Sequence, residues 1–399
     1  MARALWLIPG IYALLVTGEF LAMTQLALAL TARGASALAV GVLASSFWLG
    51  ILAASLRAER VIARLGHSRS FIAAMGVSTA AFGVLAFQDG YVGWLVGVVA
   101  MGLAGGVLWV NGEAWLAEAS PAARRGFYVG LFQTAVGIGL VGGPALLTLL
   151  QRGPLPPLAV ALALAVVALG AAVMGLRGQD PPAHRSASPA GEVAAHAADG
   201  ARRAAWPLVG VATIAGVLEV GSGALLPSIS MRLAANAEAA AWLGALIGLG
   251  SALLPTPSGL LADRLGLRRV MNGGWLLIVV ATLVLAVVSA TRGAAAAPLL
   301  WPVGFVLGGM GATIYTLVVI DFGQRFTGPA LLRVMALLVT GYTAGTSLGP
   351  AVGGALFDAA GLPGLAAGLF ACSVAGSLLA WRTTRARPGG AAFAQGLSR

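Results

Sequence analysis

Long apolar runs alternate with short polar segments along the whole 399-residue chain. A helix needs about 20 apolar residues to cross the hydrocarbon core of a bilayer, because its backbone groups find no water there and must bond to one another. Twelve runs are long enough, and each predicts a membrane-spanning helix. Their approximate bounds are 5–30, 37–56, 70–87, 91–116, 126–150, 158–176, 205–228, 242–261, 271–289, 298–320, 334–357 and 363–381.

The composition excludes a soluble protein of this size. Hydrophobic residues make up 59% of the chain, charged residues only 9%, and the mean hydropathy is +0.92, whereas soluble chains carry about 25% charged residues. The formal net charge of +11 would by itself suit a nucleic-acid-binding protein. The basic residues, however, lie in short clusters between the apolar runs. We therefore expect the basic residues to interact with the lipid bilayer, in particular with anionic lipids at its cytoplasmic face. We expect no nucleic acid as a partner.

All 24 basic residues are arginine, and their positions orient the predicted helices. With the N-terminus in the cytoplasm, 20 arginines fall in cytoplasmic segments, and only Arg33, Arg152, Arg232 and Arg292 fall outside. Such an asymmetry is expected when positive charge stays on the cytoplasmic side. It predicts a multi-pass protein of the bacterial inner membrane with both termini cytoplasmic. A cleavable signal peptide is the alternative for the first segment, but the apolar run is too long and contains Glu19.

A polar stretch rich in proline, alanine and glycine divides the chain into two sets of six segments. We expect this stretch to be a disordered linker. The predicted units are an N-terminal bundle at 1–176, a cytoplasmic linker at 177–204, a C-terminal bundle at 205–381 and a cytoplasmic tail at 382–399.

The two sets repeat each other. A shift of 200 residues places Glu19 on Glu219, and a shift of 206 places Pro144 on Pro350. Internal duplication in a polytopic membrane protein is typical of secondary transporters, whose halves rock around a site near the membrane midplane.

The loop between the eighth and ninth segments carries the motif for a family resemblance. Its sequence from Gly259 to Arg269, GLLADRLGLRR, resembles the signature loop G-x-L-A-D-R-x-G-R/x-R of the major facilitator superfamily. The first-half copy has Ala63 where the pattern has aspartate. The resemblance implies that this loop holds one conformation of the transport cycle, although a tight turn alone would also use glycine and arginine. The predicted gating residues are Gly259, Asp263, Arg264, Gly266, Arg268 and Arg269, with Arg64, Gly66 and Arg69 in the first half.

The eleventh segment contains a second element of the same family. Its pattern, G-x-x-x-G-P-x-x-G-G, is typical of helix 5 in antiporters of the superfamily. The fifth segment has Leu147 and Thr148 in place of the last two glycines, which weakens the indication of an exporter. The predicted helix-bending residues are Gly139, Gly143 and Pro144 in the fifth segment, and Gly345, Gly349, Pro350, Gly353 and Gly354 in the eleventh.

Residues 107–126 and 312–333 also resemble the YcaD-type transporters, a bacterial branch of the superfamily. The resemblance implies an all-α membrane protein with the MFS fold, in which twelve transmembrane helices form two pseudo-symmetric six-helix bundles.

Four segments carry an acidic residue: Glu19 in the first, Glu113 in the fourth, Glu219 in the seventh and Asp321 at the end of the tenth. In the superfamily these four helices line the central cavity. A charged carboxyl at mid-bilayer costs on the order of 3 kcal/mol or more, so it faces water, pairs or stays protonated. We predict that these acids bind protons or a cationic substrate. The alternatives are hydrogen bonds to neighbouring helices and, for Asp321, an ion pair with Arg325.

Polar and aromatic residues on the same helices extend the predicted cavity lining. No lysine or arginine lies inside any of the twelve segments, so the fixed charges of this cavity are negative. Such a cavity favours cations, or neutral molecules exchanged against protons. The predicted lining residues are Asn111, Trp109, Gln25 and Tyr315, with Tyr12 beside them and Tyr342 and Thr343 at a gate.

The function predicted from these features is secondary active transport of small molecules by alternating access, coupled to protons and directed outward. Uptake by symport is the first alternative, and a receptor or lipid-moving protein on the same fold is the second. We expect no enzymatic activity, no cofactor and no metal, because the glycine pairs lack a nucleotide loop's lysine and three scattered histidines with one cysteine form no metal spacing.

Overall fold

The structure is a computed structural model that describes residues 2–119, 125–179, 192–232, 236–290, 299–326 and 328–385. These residues form α-helices and no strand. The helices are α1 (Ala2–Ala32), α2 (Ala37–Leu65), α3 (His67–Phe87), α4 (Tyr91–Ala119), α5 (Arg125–Leu150), α6 (Pro157–Leu176), α7 (Glu192–Arg232), α8 (Ala237–Leu253), α9 (Pro255–Leu265), α10 (Leu267–Ala290), α11 (Leu300–Arg325) and α12 (Gly328–Arg385).

The helices follow the twelve predicted segments with two differences. The eighth segment is split into α8 and α9 at Leu254, because Pro255 has no amide hydrogen to continue the helix. The eleventh and twelfth segments both lie in α12, which turns at Ala360 and Gly361, where Gly361 has a φ of 65°. Within the described residues, ten stretches are long and apolar enough to span a membrane. The last of these stretches lies in α12 and contains both the eleventh and the twelfth predicted segments. The fifth predicted segment corresponds to a shorter apolar helix at Thr134–Leu150.

The predicted disorder of the linker does not extend to residue 204, because α7 already begins at Glu192. Residues 193–205 are mostly alanine with two arginines, and both residue types favour helix even where the segment is too polar for lipid. Residues 180–191 of the predicted linker lie outside the described residues.

Buried apolar side chains form two cores. One is built almost entirely from α1 to α6 and the other from α7 to α12. Large apolar side chains such as Phe87, Met174, Leu276 and Leu378 are exposed on the outside of the helices. This distribution fits lipid as the surrounding solvent, since lipid tails receive apolar side chains without the cost that water would impose.

Glycines allow the first helix of each half to approach its fifth closely. A Cβ atom at Gly143 of α5 would lie 2.5 Å from the Leu21 nitrogen and 2.7 Å from the Thr17 oxygen of α1. At the matching position in the second half, a Cβ at Gly349 of α12 would lie 2.5 Å from the Val217 oxygen of α7. The glycines of the predicted helix-bending motif therefore act as contact surfaces between backbones.

We expect Gly143→Ala to lower the stability of the folded protein by about 1–3 kcal/mol, because a methyl group would force α5 away from α1. The matched control is Gly83→Ala in α3, where nothing lies within 4 Å of the added Cβ. The control should be neutral or slightly stabilising. Thermal unfolding in detergent measures both, and equal midpoints for the two variants would contradict the close packing of α1 and α5.

Candidate functional site

Glu219 lies near the middle of the apolar part of α7 and is held by two other helices. Its Oε2 accepts a 2.5 Å hydrogen bond from the Tyr342 hydroxyl of α12, and its Oε1 accepts a 3.1 Å bond from the Ser251 hydroxyl of α8. Gly311 of α11 leaves room for the carboxyl group, since a Cβ there would lie 3.0 Å from Oε2. Three helices of the second half therefore converge on a single carboxyl group.

Glu19 occupies the repeat-related position in α1 but has a different environment. It is 6% exposed, and its Oε1 has no hydrogen-bond partner among the described residues. Gly105 of α4, which matches Gly311, lies beside it, with a Cβ position 3.9 Å from Oε1. The positions that match Ser251 and Tyr342 are Ile51 and Val136, which cannot donate. Burial without donors favours the neutral form of an acid.

Glu113 lies in α4, near the end of the bundle that carries the linker. Its side chain is exposed and lies one helical turn after Trp109, on the same face of α4. Because Trp109 packs against Tyr12 of α1, Glu113 lies on the face of α4 that is turned towards α1.

Each half places tyrosines near its membrane acids. The Tyr315 ring packs on Tyr342 with centroids 4.6 Å apart, and Tyr342 is bound to Glu219. In the first half, Tyr12 lies two helical turns before Glu19, on the same face of α1. The predicted lining residue Trp109 meets Tyr12 edge to face at 6.5 Å. We call Tyr12, Glu19, Glu113, Glu219, Tyr315 and Tyr342 the acid–tyrosine cluster.

Asn111 does not line this space, contrary to the prediction. It is fully buried, and its amide binds α3 through the His67 ring at 2.6 Å, the His67 carbonyl at 2.9 Å and the Ser70 hydroxyl at 2.8 Å. Asn111 and Glu113 are two residues apart in one helix, which separates their directions by roughly 200°. If Glu113 faces the cavity, Asn111 must face the neighbouring helix.

Asp321 and Gln25 also lie away from the cluster. Asp321 is 1% exposed and forms an ion pair with Arg325 one helical turn on, with Nε and Oδ2 2.6 Å apart. This ion pair is the alternative that the sequence analysis gives for Asp321. Gln25 lies about 9 Å along α1 from Glu19 and lines a separate cavity at the opposite end of the bundle.

The signature loop forms the tight turns expected of it. Gly66 and Gly266 have φ values of 81° and 88° and end helices α2 and α9, a conformation that glycine adopts without strain. Arg264 and Arg268 are exposed. The side chain of Asp263 lies outside the described residues, so the gating role of this loop stays a prediction.

The two halves meet at the end of the bundle opposite the linker, which we call the linker-distal end. The Asp358 carboxylate of α12 accepts hydrogen bonds from the amides of Ala37 and Leu38 at 2.8 and 2.7 Å. These amides belong to the first turn of α2 and have no partner within that helix. One carboxylate therefore satisfies two amides of the other half and complements the positive end of the helix dipole.

Further contacts close the linker-distal end. The Ala351 amide of α12 donates to the Ser45 hydroxyl of α2 at 3.1 Å. Arg152, after α5, forms an ion pair with Glu238 at the start of α8. Both residues of this pair also line a cavity of about 520 Å³ that includes Gln25. The apolar runs do not single out Asp358 as a functional acid, because this residue directly follows a run and does not lie inside it.

The comparisons with known proteins agree with this architecture. The model of the Major Facilitator Superfamily matches residues 10–233 and 208–396, and the chain therefore belongs to this family. It is 26% identical over 321 residues to an uncharacterized MFS-type transporter, YE1530, of Yersinia enterocolitica, with 78% of each chain covered. It is also 26% identical over 314 residues to the uncharacterized MFS-type transporter YcaD of Escherichia coli O45:K1, again with 78% of each chain covered. The resemblance to the YcaD type is confirmed.

Solved structures show the same fold. The chain superposes on the nucleoside transporter NupG with a TM-score of 0.74 at 12% identity, covering 96% of this chain and 99% of that chain. A D-xylose–proton symporter also gives a TM-score of 0.74, at 14% identity, covering 95% of this chain and 97% of that chain. The predicted twelve-helix MFS fold is confirmed, and the chain is a multi-pass membrane protein of a family of secondary transporters.

We expect Asp358→Ala to open the linker-distal end. Loss of one capping carboxylate is worth about 1–2 kcal/mol, which raises the population of the open state about five- to thirtyfold. Spin labels at Val92 and Trp301, exposed residues near the linker-distal ends of α4 and α11, report the separation of the halves in a background without the native Cys372.

Asp89→Ala is the matched control, because Asp89 is an exposed acid of the same end that pairs with Arg33 inside the first half. It should leave the distance distribution unchanged. An unchanged distribution in Asp358→Ala would show that this carboxylate does not hold the halves together.

Proposed function

We propose that the protein exports a small molecule from the cytoplasm in exchange for protons, by alternating access. The observation that carries the proposal is the position of the acids. Each half holds one mid-span carboxyl, Glu19 or Glu219, and Glu113 of α4 is exposed. Intramembrane acids that face an internal cavity mark proton and substrate pathways.

The orientation follows from the arginines. Clusters of arginine lie at the linker end of the bundle, so we assign that end to the cytoplasm. The linker-distal contacts through Asp358 and Arg152 then close the outer side, and the structure is the inward-facing state. The signature loop at the cytoplasmic end would engage when that end closes.

Exchange follows from a shared negative site. A proton on Glu19 or Glu219 lowers the negative charge that a positively charged substrate near Glu113 experiences, so the proton and such a substrate disfavour each other's binding. In the inward-facing state, the substrate enters from the cytoplasm and protons leave the carboxyl groups to water. After the halves rock, protons from outside displace the substrate and the protonated protein returns.

One observation favours uptake by symport as the second candidate. The α5 copy of the antiporter element has Leu147 and Thr148 where its glycines would stand. The two directions differ in the sign of proton movement, which can be measured.

Inside-out membrane vesicles with an acidic interior test the direction. Addition of a substrate should release protons from the vesicles if the protein is an exporter. The substrate panel should include amines, nucleosides, sugars and amino acids. Accumulation of substrate in right-side-out vesicles, driven by an acidic outside, would instead establish symport.

We expect Glu19→Gln and Glu219→Gln each to lower substrate-dependent proton flux at least a hundredfold, because glutamine cannot release a proton. Both variants should remain folded, since an amide occupies the same volume. Flux is measured with a pH-sensitive dye in proteoliposomes, and Asp89→Asn is the control for loss of an acid outside the cluster, because Asp89 is exposed and pairs with Arg33 within the first half. Wild-type flux in the double glutamine variant would remove both residues from the mechanism.

A further inference from the structure

Two seams join the halves at the linker-distal end, one between α2 and α12 and the other between α5 and α8. The internal repeat relates them, because the shift of 200 residues places Leu38 on Glu238 and the shift of 206 places Arg152 on Asp358. Both seams therefore use the same positions of the repeat with different side chains.

The backbones of the α2–α12 seam touch up to the outer end of α2. A Cβ atom at Gly41 of α2 would overlap the Pro350 carbonyl oxygen, and one at Gly354 of α12 would overlap the Ala37 carbonyl oxygen. At the same end, the Asp358 carboxylate accepts hydrogen bonds from two amides of the first turn of α2. Separation of this seam breaks the backbone packing and the charge-assisted hydrogen bonds together.

The close backbone contact of the α5–α8 seam lies deeper in the bundle. A Cβ atom at Gly248 of α8 would lie 2.8 Å from the Leu140 oxygen of α5. About 15 Å nearer the outer end along α8, the seam is bridged by the ion pair of Arg152 and Glu238, whose side chains are 65% and 34% exposed. An exposed ion pair contributes little to stability and is screened by salt. The outer end of this seam therefore opens at a lower cost than the α2–α12 seam.

The α5–α8 seam also contains a cavity that the other seam replaces with apolar packing. The cavity has a volume of about 520 Å³ and is lined by residues of α1, α7 and α8 and by the residues after α5, including the half-buried Gln25 of α1. The shift of 200 residues places Gln25 on Leu225 of α7. Leu225 is fully buried, and a Cβ atom at Gly353 of α12 would lie 2.7 Å from its Cδ1.

We propose that the transport path opens to the outside on one side of the molecule, along the α5–α8 seam past Gln25, with Arg152 and Glu238 as its gate. The α2–α12 seam separates later, as the halves rock fully, because backbone contacts and the Asp358 carboxylate hold it. This inference rests on the proposed function, which assigns the linker-distal end to the outside and makes it the exit of an exporter.

Thiol modification in right-side-out membrane vesicles tests the route. One variant carries Gln25→Cys and its matched control carries Leu225→Cys, each together with Cys372→Ser to remove the native thiol. The probes are two membrane-impermeant methanethiosulfonates, one with a trimethylammonium group and one with a sulfonate group. We expect both probes to modify Gln25→Cys from outside and Leu225→Cys to react at least tenfold more slowly. Both thiols should react fully after denaturation, which shows that each is present.

Removal of the gate should speed the modification of Gln25→Cys. With Arg152→Ala, the rate should rise about two- to fivefold, which corresponds to the loss of an exposed ion pair. The rise should appear with both probes, because a change of local charge alone would favour the cation and disfavour the anion. The exchanged pair, Arg152→Glu with Glu238→Arg, should restore the original rate. Arg33→Ala, at an arginine of the same end that pairs with Asp89 inside the first half, should leave the rate unchanged.

Equal reactivity of Gln25→Cys and Leu225→Cys would overturn the one-sided route. A rate that stays the same in Arg152→Ala, or that changes in opposite directions for the two probes, would overturn the gate. Thermal unfolding of each purified variant separates these results from loss of the fold.

Proton flux separates this inference from the proposed function. Substrate-dependent flux in a protein whose Gln25→Cys and Leu225→Cys variants react equally would overturn the one-sided route and leave proton-coupled transport in place. Gate-dependent modification of Gln25→Cys in a protein that moves no protons would support the one-sided opening and contradict the proposed function.

Discussion

A carboxyl group that is held away from water in the middle of a membrane must be neutral, hydrogen-bonded or close to a cation, and this constraint governs the centre of the molecule. Glu219 meets it with two hydroxyl donors, Tyr342 and Ser251. Glu19 has no donor at Oε1 in the described part of the chain, so protonation is the means left to it. Glu113 differs from both, because its side chain is exposed.

The duplicated halves use the same backbone framework for different chemistry. Gly105 and Gly311 match in the repeat, and each lies beside the acid of its half, although only Gly311 is too close to its acid to carry a side chain. The donors of Glu219, however, are replaced by Ile51 and Val136 around Glu19. The same division appears at the linker-distal end, where Asp358 of the second half caps a helix of the first. The repeat therefore determines which backbone positions correspond in the two halves, whereas the individual side chains determine what each position does.

The sequence predicts those parts of the structure that depend on long runs or on one strong local preference. The twelve apolar segments follow from hydropathy, and the turn at Gly266 follows from its place in the motif. The incorrect predictions of cavity-lining residues depend on the rotation of a helix about its axis, which a uniformly apolar segment does not reveal. Asn111 and Gln25 were placed in the cavity for this reason. Asp358 was missed because its importance comes from a helix 320 residues away in the chain.

The most direct test of the account is whether Glu19, the repeat-related acid without a donor at Oε1 in the described part of the chain, carries a proton in this conformation. Infrared difference spectra of the purified protein, recorded at neutral and at alkaline pH, detect the carbonyl stretch of a protonated carboxylic acid. The account predicts such a band at neutral pH in the wild type and its loss in Glu19→Gln. A band that persists unchanged in Glu19→Gln, or that is absent from the wild type, would contradict it.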